Sequence, residues 1–239
     1  MTDETTSNPR RNFLRQAIGM VPAAALMGGG GAVSVAEAAS TAAPAGTAYQ
    51  PTYFTPEEWA FINAAVDRLI PSNEDGPGGV ELHVPEFIDR QMETTYGHGG
   101  LWYMSGPFQP DADPSLGYQL RFTPRELYRV AITDIDSWCA AQHGKKFHEL
   151  PPETQDEVLG GLQKGSIALA NVKAQEFFIQ LLANTKEGYF ADPMYGGNLH
   201  MGSWKMIGFP GARADYADWA QQPGKVYPLG PVSIQGEKA

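Results

Sequence analysis

The stretch that decides the fold is Phe54-Thr55-Pro56-Glu57-Glu58-Trp59-Ala60-Phe61-Ile62-Asn63-Ala64-Ala65-Val66-Asp67-Arg68-Leu69-Ile70-Pro71. Thr55 is an N-cap, Pro56 fits the first helical position where no N–H is needed, and Glu58 completes a capping box. Trp59, Ile62, Val66 and Leu69 then recur at helical spacing, and Pro71 stops the run. The same grammar returns at Thr123-Pro124-Arg125-Glu126, which opens a helix to about Gln142 with Leu127, Val130, Ile135, Trp138 and Cys139 on its apolar stripe. Shorter apolar patterns predict helices over 85–94, 153–164 and 166–184. Five helices without a convincing alternating strand make an all-α single domain with long ordered Gly/Pro/aromatic loops, the longest over 96–122.

Upstream of that domain the chain changes character. Residues 39–53, small and polar with Pro44 and Pro51, read as a flexible lead-in, and the helical domain with its extended tail occupies 54–239. Residues 1–38 carry Arg10-Arg11-Asn12-Phe13-Leu14, then a weakly apolar Ala/Gly run and an Ala36-x-Ala38 cleavage pattern. Together these read as a twin-arginine signal peptide, with Arg10, Arg11, Phe13 and Leu14 as its specific part and the twin-arginine translocase as the expected partner. A retained membrane helix is the competing reading, disfavoured by Gly28–Gly31 and the many alanines. The expected location is therefore the periplasm. Proteins on this route travel folded, with a cofactor inserted or a partner attached.

Charge narrows the partner class. The formal net charge is −10, and the signal region balances its own acids and bases, so the excess acid lies in the mature part. Phosphate backbones and anionic lipid headgroups are unfavourable partners for such a surface, which disfavours nucleic acid and direct electrostatic membrane docking. Another protein remains open.

Cofactor motifs are missing. One cysteine, Cys139, supports neither a C-x-x-C-H haem attachment nor an iron–sulfur cluster. The glycine run at 28–31 follows no strand and makes no dinucleotide site. Five histidines, His83, His98, His143, His148 and His200, lack the spacing of a metal pair on one helix face. No cofactor is expected in this chain. A free-standing metal-dependent enzyme using His98, His200 and Asp192 or Glu187 is the alternative function. A periplasmic solute-binding protein would need two α/β lobes, and the strand alternation for them is absent.

From Thr185 onward glycines at 188, 196, 197, 202, 208 and 211 interleave with Tyr189, Phe190, Tyr195, Trp204 and Phe209. A long segment of this kind is either a tail that closes a thin core or an ordered surface for another protein. Here the sequence resembles the small subunit, subunit 3, of bacterial membrane-bound gluconate 2-dehydrogenase. The resemblance is carried by Leu181-Leu182-Ala183-Asn184-Thr185, by Asp192-Pro193-Met194-Tyr195-Gly196-Gly197-Asn198 and by Trp204-Lys205-Met206-Ile207-Gly208-Phe209-Pro210-Gly211, with the opening helix. It implies a non-catalytic subunit that stabilises a large flavoprotein of the glucose–methanol–choline type and accompanies it through export. FAD would sit in that partner and haem c in a multihaem cytochrome subunit, and membrane association would come through the complex only. On this reading Tyr195, Trp204, Met206 and Phe209 fill pockets on the partner, Lys205 meets a carboxylate or solvent, and Asp192 and Asn198 hold the loop that presents them.

Overall fold

Two threonines start two of the long helices. Thr55 accepts from the Glu58 amide at 3.3 Å while its own amide donates to the Glu58 carboxylate at 2.9 Å, opening α1, Pro56–Leu69. Thr123 and Glu126 make the same reciprocal pair at the head of α3, Pro124–His143. Between them lies α2, Val84–Met92; after them come α4, Pro152–Lys164, and α5, Ala174–Phe190. A short α6, Gly202–Ile207, falls in the C-terminal segment. The computed structural model describes residues 49–219 and 221–239, so the signal expected over 1–38 lies outside the described residues.

The architecture is all-α: among the described residues there are only isolated bridges and no strand. α5 is the central element, packed against α1, α2, α3 and α4. Phe61 of α1, Tyr128 of α3 and Phe177 of α5 are wholly buried and meet edge to face or tilted, with Phe147 completing the cluster at 4.7 Å from Phe61. Each such aromatic contributes roughly 1.5–3 kcal/mol through the area it removes from water. No helix among the described residues is long and apolar enough to cross a membrane.

Three local readings are corrected. The last long helix was expected over 166–184 and instead runs from Ala174 to Phe190. Its early part is lost because Asn171 is captured by Asp134 of α3, through its amide at 2.7 Å and its side chain at 2.8 Å, which holds 166–173 as an irregular strap. Its end extends because Gly188 lies directly on the Phe87 ring of α2, where even a methyl group has no room. The lead-in is also ordered from Tyr49 onward: the buried Asp89 carboxylate accepts from Tyr49 Oη, Thr52 N, Thr52 Oγ1, Tyr53 N and Phe54 N at 2.7–3.1 Å. A carboxylate with that many donors is fully satisfied despite its burial. Finally, α6 was not legible as a helix, being six residues between glycines.

The long loop over 96–122 is held by its own rings. Trp102 stacks on Tyr118 at 4.4 Å and meets Tyr96 edge-on at 5.8 Å, and the Tyr118 hydroxyl donates to the Phe122 carbonyl.

Candidate partner-binding surface

The segment after α5 is built around three side chains that point inward. Asp192 caps a 3-10 turn, Pro193–Tyr195, by accepting from Met194 N at 3.1 Å, and its other oxygen accepts from Ile234 N at 2.7 Å. Asn198 donates to the Ala191 carbonyl and accepts from both the amide and the hydroxyl of Ser203, at 2.8–2.9 Å. Trp204 donates its indole N–H to the Phe190 carbonyl at 2.9 Å and packs edge-to-face on Phe209 at 5.1 Å. Asp192, Asn198 and Trp204 are therefore all buried. They hold the segment's shape, and Trp204, expected as a surface anchor, spends its ring inside the chain.

The backbone between these anchors is strained. Asn198, His200 and Met201 all sit at positive φ (50°, 51° and 56°), a conformation that costs a non-glycine residue of order 1 kcal/mol or more. The Asn198 side chain, bonded on both sides of the turn, holds that geometry in place. Val232 closes the far side: it accepts from Ala212 N at 2.8 Å and donates to the Pro210 carbonyl at 3.2 Å, so it fastens the terminal strap, 232–239, to 210–212.

What this bracing presents outward is apolar. Tyr195, Met206 and Phe209 are exposed, as is Lys205. Met194 and Ile207, which the sequence reading did not single out, and Phe190, which it named only among the segment's aromatics, are exposed as well. Ile207 directly follows Lys205-Met206 and was the recoverable one; Phe190 was hidden by its place at a helix end that the sequence did not mark. Together these large apolar side chains make an exposed apolar patch on a hydrogen-bonded segment. Met206 is partly tucked in, its sulfur 3.7 Å from the Tyr189 hydroxyl, which in turn donates to the Pro77 carbonyl and so ties the segment to the α1–α2 connection.

The residues offered for metal chemistry are engaged elsewhere. His98 pairs with the Arg125 guanidinium at 2.6 Å, His200 faces Glu237 at 3.3 Å, Asp192 holds backbone amides, and Glu187 accepts from Asn184 at 2.9 Å. Among the described residues no three of His, Cys, Asp and Glu come together in a metal-holding group. Cys139 is buried in α3, and burial pushes its thiol up to about 12, far from the range of a nucleophile. Arg10, Arg11, Phe13 and Leu14 lie outside the described residues.

No curated protein and no solved structure matches the chain. Residues 56–211 match the family described as gluconate 2-dehydrogenase subunit 3. That span runs from the first residue of α1 to the glycine beneath the Val232 strap, and so takes in all six helices of the described residues and the braced segment. The chain belongs to the gluconate 2-dehydrogenase subunit 3 family.

Proposed function

We propose that this chain is the non-catalytic small subunit of a periplasmic dehydrogenase complex, in which it binds and stabilises a large FAD-containing flavoprotein of the glucose–methanol–choline type. The flavoprotein oxidises a sugar acid or polyol, and a multihaem cytochrome c subunit takes its electrons. The chain reaches the outer face of the inner membrane only through these partners. Its Arg10-Arg11 signal engages the twin-arginine translocase and carries the folded flavoprotein across with it.

The observation that supports this reading is the exposed apolar set, Tyr195, Met206, Ile207 and Phe209 foremost, on a strained segment held by Asp192, Asn198 and Trp204. Pre-ordered apolar anchors bind with little further loss of conformational freedom, which suits a lasting subunit contact. The test is to express the chain with its flavoprotein and assay periplasmic flavin, dye-linked dehydrogenase activity and co-purification. Lysines at both Arg10 and Arg11 are expected to strand the flavoprotein in the cytoplasm. Ile207→Asp with Phe209→Asp is expected to abolish co-purification while leaving the small subunit folded by circular dichroism. A flavoprotein that is exported and active without this chain overturns the proposal.

A further inference from the structure

A second surface, lined by no residue of the braced C-terminal segment, lies where the 96–122 loop meets α5. There a cavity of about 320 Å³ is walled by Tyr96, Trp102 and Tyr118 and flanked by Glu176 and Glu187 of α5. No basic side chain lines it. Both tyrosine hydroxyls are already used: Tyr118 donates to the Phe122 carbonyl and Tyr96 exchanges hydrogen bonds with Asn184. What the pocket offers is therefore ring surface and negative charge. Glu187 takes one bond from Asn184, and Glu176 has no hydrogen-bond or ion-pair partner for its side chain among the described residues. The charge is felt inside: the Tyr118 hydroxyl is pushed up, first by burial and then by the carboxylate of Glu176. Ile179, another residue of the pocket wall, is exposed, and Leu101, Tyr103 and Leu116 of the same loop are exposed too.

Aromatic faces beside unneutralised carboxylates are the chemistry that receives a guanidinium. The planar cation stacks on the rings while its N–H groups reach the carboxylate of Glu176, and its aliphatic stem is covered by apolar neighbours; Glu187, about three turns further along α5 and bonded to Asn184, adds only longer-range negative charge. We propose that this pocket is a docking site for an arginine side chain carried on an apolar segment of the flavoprotein partner. The identity of the partner rests on the function proposed above; the chemistry of the pocket does not.

Two measurements separate those halves. In the first, the full chain is labelled with fluorotryptophan, the Trp102 resonance is assigned through Trp102→Phe, and the protein is titrated with N-acetylarginine amide and with its neutral isostere N-acetylcitrulline amide. The arginine amide is expected to shift the Trp102 resonance saturably, the citrulline amide is not, and Glu176→Gln is expected to weaken the arginine response roughly tenfold. Equal responses to both amides, or none to either, overturn the pocket whatever becomes of the subunit reading. In the second, the purified complex is compared with one carrying Glu176→Gln and Ile179→Ala, changes on the outer face of α5 that circular dichroism will show to leave the fold intact. A weaker complex with a shallower salt dependence is expected. An unchanged affinity and salt slope overturn the placing of the flavoprotein in this pocket while leaving the braced surface as its anchor. If no complex forms even with the unaltered chain, the partner assignment falls and the first measurement alone judges the pocket.

Discussion

Asp89 of α2 fixes the chain by hydrogen bonds that no helix periodicity announces. Its two oxygens collect five donors from Tyr49, Thr52, Tyr53 and Phe54, so one carboxylate fixes the path of the chain just before α1 begins. An asparagine there keeps the shape but turns an NH2 group toward backbone N–H donors, leaving buried groups unpaired. Asp89→Asn is expected to cost about 2–4 kcal/mol in urea unfolding, because hydrogen bonds to a charged acceptor are lost and their donors stay buried. Cys139 makes the opposite kind of prediction, one of silence. With its thiol buried and pushed up to about 12, a disulfide reagent at neutral pH is expected to modify it only as the chain unfolds. The same shift sets a sign at alkaline pH. The native state holds a proton that the unfolded chain releases near the ordinary thiol value of 9.0, so stability is complete below that value and falls as pH rises toward 12. Tyr49, raised to about 12, and Tyr128, raised by its complete burial, push the same way. A melting temperature that stayed flat from pH 8 into this range would contradict the assignment of Cys139 and Tyr128 as buried acids, and Cys139→Ala should flatten part of the fall.

At the level of elements, what was legible was what is local. Thr55-Pro56-Glu57-Glu58 and Thr123-Pro124-Arg125-Glu126 announce α1 and α3 because a capping box closes within four residues and owes nothing to the rest of the chain. The bounds of α5 were not legible because two distant residues decide them: Asp134 draws Asn171 out of helix at one end, and Phe87 receives Gly188 at the other. In the candidate surface the same division holds. Tyr195, Lys205, Met206 and Phe209 are exposed, whereas which aromatic of the segment turns inward depends on Trp204 finding the Phe190 carbonyl, and no spacing in the sequence records that. Two glycines on neighbouring helices turn this contrast into a measurement. Gly160 of α4 has nothing within 4 Å of where a methyl group would go, so Gly160→Ala is expected to stabilise by about 0.5–1 kcal/mol through helix propensity alone. Gly188 of α5 would place that methyl 2.7 Å from Phe87 Cδ1, against a ring packed in the core. Gly188→Ala is therefore expected to destabilise by about 1–3 kcal/mol, overpacking outweighing propensity. If both alanines stabilise alike, α2 and α5 do not meet as closely as the fold requires.

Over the whole molecule the helices and the presented surface are joined by few bonds, and that makes the surface separable from the core. The central cluster of Phe61, Tyr128, Phe147 and Phe177 is complete without any residue beyond α5. The C-terminal segment is instead kept in register by hydrogen bonds: Ile234 N to Asp192, Ala212 N to Val232 O and Val232 N to Pro210 O. Removing residues 232–239 takes away all three and leaves one Asp192 oxygen without its donor. At about 1 kcal/mol for each bond the loss is about 2–4 kcal/mol, and at roughly 2–4 °C per kcal/mol for a domain of this size the melting temperature should drop by about 5–15 °C. The far-UV circular dichroism of the helices is expected to persist below that lower transition. The near-UV signal should change as Trp204 and its partner Phe209 lose their fixed environment, and binding of the proposed flavoprotein partner should weaken because the exposed anchors must then be ordered on association. Weakened binding with the helical core intact would place the strap's role in pre-ordering the surface. A truncated chain that binds the flavoprotein as tightly as the whole one would mean that Asp192, Asn198 and Trp204 hold the surface without it.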